Sequence, residues 1–291
     1  MEDFKDWIKA GKIAGEALQY AKKIAKPGIN LLELADNVEL KIVELGGVPA
    51  FPVNLSLNYL AAHYAPVLRE AIVLKDTDIL KIDVGVHVNG AVGDTALTVG
   101  PDNELIKASE DALKAAIKEA YAGNEVRKIG KAIQETISSF GYAPIKNLSG
   151  HGLGRYMIHS GKTIPNYDNN DKRVLEDGET IAIEPFATDG EGMVIESAVS
   201  NIYRLQRVKP VRDMNARKVM KFVEENYKTL PFARRWVERK VTNSSLSFML
   251  LVREGVFHSY AQLKEQSSGM VSQAEHSLII GDKSIVTTKV D

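Results

Sequence analysis

The sequence predicts an α+β fold made of two similar halves, with a helical segment inserted before the last strands. Three observations predict it. A pair of amphipathic helices recurs about 95 residues further on; short apolar strands follow each copy; and between about residues 209 and 260 the chain turns to helical sequence rich in basic side chains.

The first helix spans about Phe4 to Ala25 and stops at Lys26-Pro27-Gly28, where proline and glycine cannot continue it. A second helix places Leu31, Leu34, Val38, Ile42 and Leu45 on one face and closes at Gly46-Gly47. Val126, Ile129, Ile133, Ile137 and Phe140 repeat that face, Gly123 answers Gly28, and Gly141 and Pro144 answer Gly46 and Pro49. Each copy then reaches Asn-Leu-Ser, at Asn54 and at Asn147. A duplication of this kind implies a site between the halves. Strands are expected over Asp78–Val88 and Ala91–Val99, joined by the two-residue turn Asn89-Gly90. A further strand covers Glu179–Pro185, and a final hairpin pairs Ser272–Ile280 with Ser284–Lys289. Helices are expected over Asn215–Tyr227, Ala233–Lys240 and Ser245–Arg253.

Composition narrows the chemistry. The 291 residues are 44% hydrophobic and 26% charged, with no cysteine, so any metal must be held by His, Asp or Glu. No apolar run reaches the ~18 residues of a membrane span, and the charged start Met1-Glu2-Asp3 lacks a signal-peptide core, which makes the cytoplasm the default location. The net charge is −1, yet Arg207–Lys240 holds eleven basic and four acidic residues.

Four acids sit in apolar strand sequence. The Asn89-Gly90 turn pairs Val88 with Ala91, so Gly85 faces Asp94 and Asp83 faces Ala96, and the two carboxylates become diagonal neighbours on one sheet face. Like charges there repel and lose hydration, a cost that a cation removes. Glu184 interrupts Ile181-Ala182-Ile183 and precedes Pro185; Glu275 leads into Leu278-Ile279-Ile280; and His151 is flanked by Gly150 and Gly152. Four carboxylates and one imidazole suit a pair of Co, Mn, Fe or Zn ions.

The ordered set Phe51-Pro52-Val53-Asn54-Leu55-Ser56, Asn58, Ala61-Ala62-His63-Tyr64-Ala65-Pro66, Ile82-Asp83-Val84-Gly85, Gly93-Asp94-Thr95-Ala96, Leu148-Ser149-Gly150-His151, Ile158-His159-Ser160-Gly161, Ile183-Glu184-Pro185-Phe186 and Gln273-Ala274-Glu275-His276 resembles the methionine aminopeptidases, type 2 branch, in their short archaeal form. The resemblance implies a pita-bread fold, with a curved antiparallel sheet covered by helices in two pseudo-symmetric halves. It implies a catalytic domain over residues 1–205 and 262–291 and a winged-helix-like insertion over 206–261. It implies that Asp83 chelates one ion, Asp94 and Glu275 bridge both, and His151 and Glu184 hold the second. His159 would contact the scissile amide or its oxyanion, His63 the substrate near the leaving side, and Glu184 would shuttle the proton.

Phe51, Pro52, Ile158 and Tyr260 would shape the methionine pocket, while His87, His258 and His276 remain structural or surface residues. The implied reaction is attack by metal-activated hydroxide on the first peptide bond of a new polypeptide whose second residue is small. With Glu2 in second place, this chain would keep its own methionine. The resemblance favours a monomer without DNA or membrane partners, and the basic stretch 207–240 is compatible with ribosomal RNA. The rivals are an Xaa-Pro peptidase of the same fold, which usually carries an additional N-terminal domain, and a non-catalytic relative associated with ribosome or RNA.

Overall fold

The structure, a computed structural model, describes residues 4–290; the expectations resting on Met1, Glu2 and Asp3 lie outside the described residues. The first half comprises helices α1 (Lys5–Ile24) and α2 (Leu31–Glu44), then strands β1 (Val48–Pro49), β2 (Asn54–Leu57), β3 (Leu60–Ala62), β4 (Leu80–Val88) and β5 (Ala91–Val99). The second comprises α3 (Asn103–Glu119), α4 (Val126–Ser139), β6 (Ala143–Pro144), β7 (Ser149–Gly154), β8 (Met157–Pro165), β9 (Thr180–Ile183), β10 (Phe186–Thr188) and β11 (Val194–Leu205). There follow α5 (Met214–Tyr227), β12 (Phe232–Ala233), α6 (Arg234–Glu238) and α7 (Ser244–Arg253). The chain then returns through β13 (Phe257–Glu265), β14 (Val271–Gln273), β15 (His276–Ile279) and β16 (Ile285–Val286). All strand pairs are antiparallel, in sheets ordered β1-β4-β2 with β5 on β4, β14-β10-β6, β12-β11-β13-β3 and β16-β15-β9-β7-β8.

The repeat read from the sequence is present down to single hydrogen bonds. Helices α2 and α4 have the same length, 14 residues, and both end before a glycine in the left-handed region, Gly46 at φ 84° and Gly141 at φ 83°. Ahead of them, Gly28 N–H donates to Leu74 O at 2.8 Å and Gly123 N–H donates to Leu175 O at 2.8 Å. Each helix pair buries its stripe on its own half: Leu31, Leu34, Val38 and Ile42 pack with Leu55, Ile82 and Val84, while Val126, Ile129, Ile133 and Ile137 pack with Ile164, Ile181 and Ile183.

Some elements differ from the sequence reading. The stretch Ser272–Ile280 is not one strand: β14 and β15 lie in different sheets, and between them Glu275 bridges to Ala96 of β5. The strand over Glu179–Pro185 stops at Ile183, since Pro185 has no N–H to continue the ladder. Ser284–Lys289 contributes only Ile285–Val286, and Ala233–Lys240 only the short α6. Helix α3 was not foreseen because half of its buried stripe is alanine and one further member is a serine. Strand β11 was not foreseen because register shifts between Glu196 and Val199 and between Val199 and Tyr203 break its two-residue alternation.

The helices α5 to α7 build a core of their own around Val219, Phe232, Phe248 and Phe257. They attach to the first half through a buried ion pair. The Arg235 guanidinium, only 1% exposed, binds the carboxylate of Glu39 on α2, which also accepts from Trp236 Nε1 at 2.7 Å and from Val53 N–H at 3.2 Å. Burial still holds the Glu39 carboxyl above its ordinary range, with Arg235 pulling it back. Such a pair is costly to break from one side, because the remaining charge is stranded. Arg235→Ala should lose about 3–5 kcal/mol of stability in denaturant unfolding. Adding Glu39→Gln should recover part of that loss, since no buried charge is then unpaired.

Candidate active site

The β4–β5 hairpin sets the site. Its register places Gly85 opposite Asp94 and Asp83 opposite Ala96, as the two-residue turn requires, with positive φ at both Asn89 (50°) and Gly90 (87°). Gly85 has a second function: a Cβ there would lie 2.1 Å from Cε1 of Phe51, so only glycine lets that ring lie over the strand.

The second half delivers the other groups. His151 lies on β7 opposite Ala182 of β9, and Glu184 stands one residue beyond the end of β9. Glu275 is fixed by the bridge to β5, where its N–H donates to Ala96 O at 2.9 Å. Hydroxyls extend this seam: Thr95 Oγ1 donates to Glu275 O at 2.8 Å, Thr98 Oγ1 donates to Gln273 O at 2.7 Å, and Ser277 Oγ both accepts from Asp94 N–H and donates to Asp94 O, each at 2.8 Å.

All five groups, Asp83, Asp94, His151, Glu184 and Glu275, line one cavity of about 330 Å³. Ligand atoms of Asp94, His151 and Glu275 lie within 4.8 Å of one another. His151 Nε2 is 3.6 Å from Glu184 Oε1 and 3.8 Å from Asp94 Oδ2. These gaps are too long for hydrogen bonds and wide enough for an ion held at about 2 Å from each donor. His151 Nδ1 donates to Gly152 O at 3.2 Å, which leaves the Nε2 lone pair facing the carboxylates, the usual orientation of a metal-binding imidazole.

The electrostatics favour the same assignment. Among the described residues, no lysine or arginine pairs with these carboxylates, and the buried Oδ1 atoms of Asp83 and Asp94 have no hydrogen-bond partner. Burial lifts the Asp83 carboxyl to about 7, with the neighbouring Gln273 side chain pulling it down. Asp94, Glu184 and Glu275 are all lifted well above the carboxylate range, first by burial and then by one another's charge and that of Asp83. Burial, reinforced by His159, drives His151 down to about 3, so it stays neutral. A pocket of repelling, unpartnered carboxylates facing a neutral imidazole fits a divalent cation.

The remaining predicted residues divide. Phe51, His63, Ile158, His159 and Tyr260 line the cavity; Pro52 does not, and its carbonyl instead accepts from Asn54 Nδ2 at 2.8 Å. The His159 ring stands 4.5 Å from that of His151, and burial, with His63 beside it, takes His159 to about 4. His63 has φ 66°, and its Nδ1 donates to Ala261 O at 3.1 Å. His276 bonds Thr288 Oγ1 at 2.8 Å and His87 packs on Tyr156, both outside the cavity lining, while His258 meets the Tyr260 ring edge-on with centroids 4.8 Å apart. Sequence reasoning missed Asn54, Asn147, Ile202, Pro231 and Leu263 in the lining. The two asparagines head the repeated Asn-Leu-Ser, a signal that was present. Ile202 and Leu263 lie on the irregular pair β11 and β13, which carries no such signal.

The model of metallopeptidase family M24 matches residues 6–201. The chain is 48% identical to a methionine aminopeptidase from Pyrococcus horikoshii, over 98% of this chain and 99% of the relative. Among solved structures, a thermophilic Arx1 superposes with TM-score 0.84 at 16% identity, covering 99% of this chain and 91% of that one. The methionine aminopeptidase of Thermotoga maritima superposes with TM-score 0.72 at 23% identity, covering 99% and 96%.

The raised carboxyls give stability a definite pH dependence. A group whose folded pKa exceeds its unfolded value holds protons that the unfolded chain has released, so stability falls as pH rises through the folded pKa. The buried neutral histidines act oppositely, but only below about 6.5, their unfolded value. The metal-stripped protein should therefore lose thermal stability as pH rises from about 6.5 through the Asp83 value of about 7. Added divalent ions, which bind the ionised form, should abolish that slope, as melting curves across pH would show.

Proposed function

The chain belongs to metallopeptidase family M24, and from that premise we propose how it works as an aminopeptidase that removes the initiator methionine from new polypeptides. It is a hydrolase of the pita-bread fold and uses a divalent metal cofactor. The observation that carries the proposal is the meeting, in one cavity, of four buried carboxylates and a neutral imidazole with the apolar side chains of Phe51 and Ile158.

Two ions, Co, Mn, Fe or Zn, would be held by Asp83, Asp94, His151, Glu184 and Glu275. When bound, such ions polarise the scissile carbonyl and bring the pKa of water near neutrality. The chain's own groups do the rest. Glu184, raised by burial, takes a proton from water and returns it to the leaving amine. His159, neutral at working pH, donates a hydrogen bond to the carbonyl oxygen as charge develops there. His63, anchored through Nδ1, would offer its other nitrogen to the substrate beyond the bond cut. Phe51, Ile158 and Tyr260 surround the methionine side chain, whose flexible thioether suits an irregular apolar wall. The substrate's α-amine, titrating near ~7.7–8.0, offers a neutral nitrogen to the metal site only at a chain end.

The division into a catalytic domain, 1–205 with 262–291, and an insertion, 206–261, is part of this proposal. It is supported by the separate apolar core of α5 to α7. A ribosomal contact would rest on six of the eleven cations in the basic stretch, because Lys209, Lys221, Arg234, Arg235 and Arg239 already pair with Glu254, Glu225, Glu238, Glu39 and Asp36. Among the described residues, Arg207, Arg212, Arg217, Lys218, Lys228 and Lys240 are the cations of the stretch outside such ion pairs. Among the described residues no helix is long and apolar enough to cross a membrane.

Metal-stripped protein should release methionine from Met-Ala-Ser only after Mn, Co, Fe or Zn is returned, and should leave Ala-Pro uncut. Asp94→Ala should abolish release. His159→Ala should lower kcat by about 10²–10³ with a smaller change in KM. Release by Asp94→Ala at the wild-type rate, measured as free methionine, would sink the ligand assignment.

A further inference from the structure

Arg204 has no role in the scheme above, and its position is unusual. On β11 it lies two residues beyond Ile202, which lines the cavity, so the two share a face of the strand. Its antiparallel partner is His258 of β13, and residues directly opposite project to the same side. The His258 ring stands 4.8 Å from Tyr260, another cavity residue. Arg204 therefore belongs to the row of side chains that borders the cavity. One residue later, at Leu205, β11 ends and the chain leaves for the helices, and Pro231 from that excursion lines the same cavity. Arg204 marks the rim on that side.

Among the described residues this guanidinium has no carboxylate partner, and its buried Nε has no acceptor. Its charge is felt by its neighbours: together with burial and His63 it keeps His159 neutral, and it opposes the rise that burial imposes on Tyr260. A half-buried arginine with a planar fork of donors and no carboxylate partner among the described residues is suited to receive a carboxylate. The methionine end of the substrate occupies the interior, so the remainder of the peptide must leave past the rim.

We propose that Arg204 is a specificity-determining residue that receives a carboxylate carried by the substrate just beyond its second residue, so that polypeptides acidic there are processed faster. The proposal rests on the aminopeptidase reading and adds a preference to it. The carboxylate comes from an acidic side chain or, in a short peptide, from the C-terminus, and the two sources are separable.

The test measures kcat/KM for Met-Ala-Asp-amide, its isosteric neutral counterpart Met-Ala-Asn-amide, and Met-Ala-Ser as free acid and as amide. The enzymes are the metal-loaded wild type, Arg204→Gln, Arg204→Lys and Arg204→Glu. Each ratio is taken within one enzyme, so a general loss of activity cancels. Wild type should favour Asp over Asn about tenfold, the scale of one hydrogen-bonded charge contact. The ratio should shrink in high salt, survive in Arg204→Lys, fall to unity in Arg204→Gln and invert in Arg204→Glu. A preference confined to the free acid of Met-Ala-Ser, and lost in Arg204→Gln, would support the same contact with the C-terminus as its source. Equal rates within both pairs in wild type, or a preference unchanged in Arg204→Gln, would overturn the proposal. Failure to release methionine from Met-Ala-Asn-amide as well would overturn the aminopeptidase reading, and this one with it.

Discussion

Four carboxylates gathered in one cavity repel one another, and the rest of the molecule is arranged around that repulsion. In water each would ionise near 4 at little cost. Buried together, with no lysine or arginine brought to them among the described residues, they reach neutrality by keeping protons or charge balance by sharing cations. The described residues supply no counter-charge to them, so the balancing charge is expected from outside. The single imidazole among them is neutral for the same reason: the burial that raises the acids depresses His151, leaving a lone pair where a second positive charge would compete with an ion.

Holding such a site open requires scaffolding that does not depend on the site's own attractions. The β4–β5 hairpin gives Asp83 and Asp94 a fixed register, while β7, β9 and the link between β14 and β15 bring the other three groups from the second half. The halves meet along β5 through one backbone bridge at Ala96 and Glu275, with the hydroxyls of Thr95, Thr98 and Ser277 filling the gaps on either side. A regular ladder there would have aligned two strands side by side. The hydroxyl seam instead lets Glu275 stand between two sheets with its side chain toward the acids. The apolar stripes of α2 and α4 pack on strand residues that flank the ligands, Ile82 and Val84 beside Asp83 and Ile183 beside Glu184, and hold each half separately.

Much of this was legible in the sequence because it follows from short-range rules. Asn89-Gly90 fixed a register and the register fixed two ligands; the spacing of Leu31 to Leu45 and of Val126 to Phe140 gave both the helices and the duplication. What resisted reading depends on partners distant in sequence. Glu275 looked like a residue within one strand, whereas it joins two, because its true neighbour is Ala96. The walls from β11 and β13 were invisible because bulges erase alternation, and Arg204 had no local pattern to announce it. Pro52 belongs to a stretch that resembles the family closely, yet its ring is outside the cavity lining, since adjacency to Phe51 along the chain does not place both on one face.

The seam also imposes an order on assembly. Asp94 N–H reaches Ser277 across 183 residues of chain. Contacts of that span close late, after the local helices and hairpins have formed, because the entropy of closing so long a loop must be met before the contact rewards it. The hairpin bearing Asp83 and Asp94 can fold early, but it has no second set of ligands until the last strands dock. A partly folded copy of this hydrolase is therefore chemically silent, and hydrolytic capacity emerges only with the completed fold.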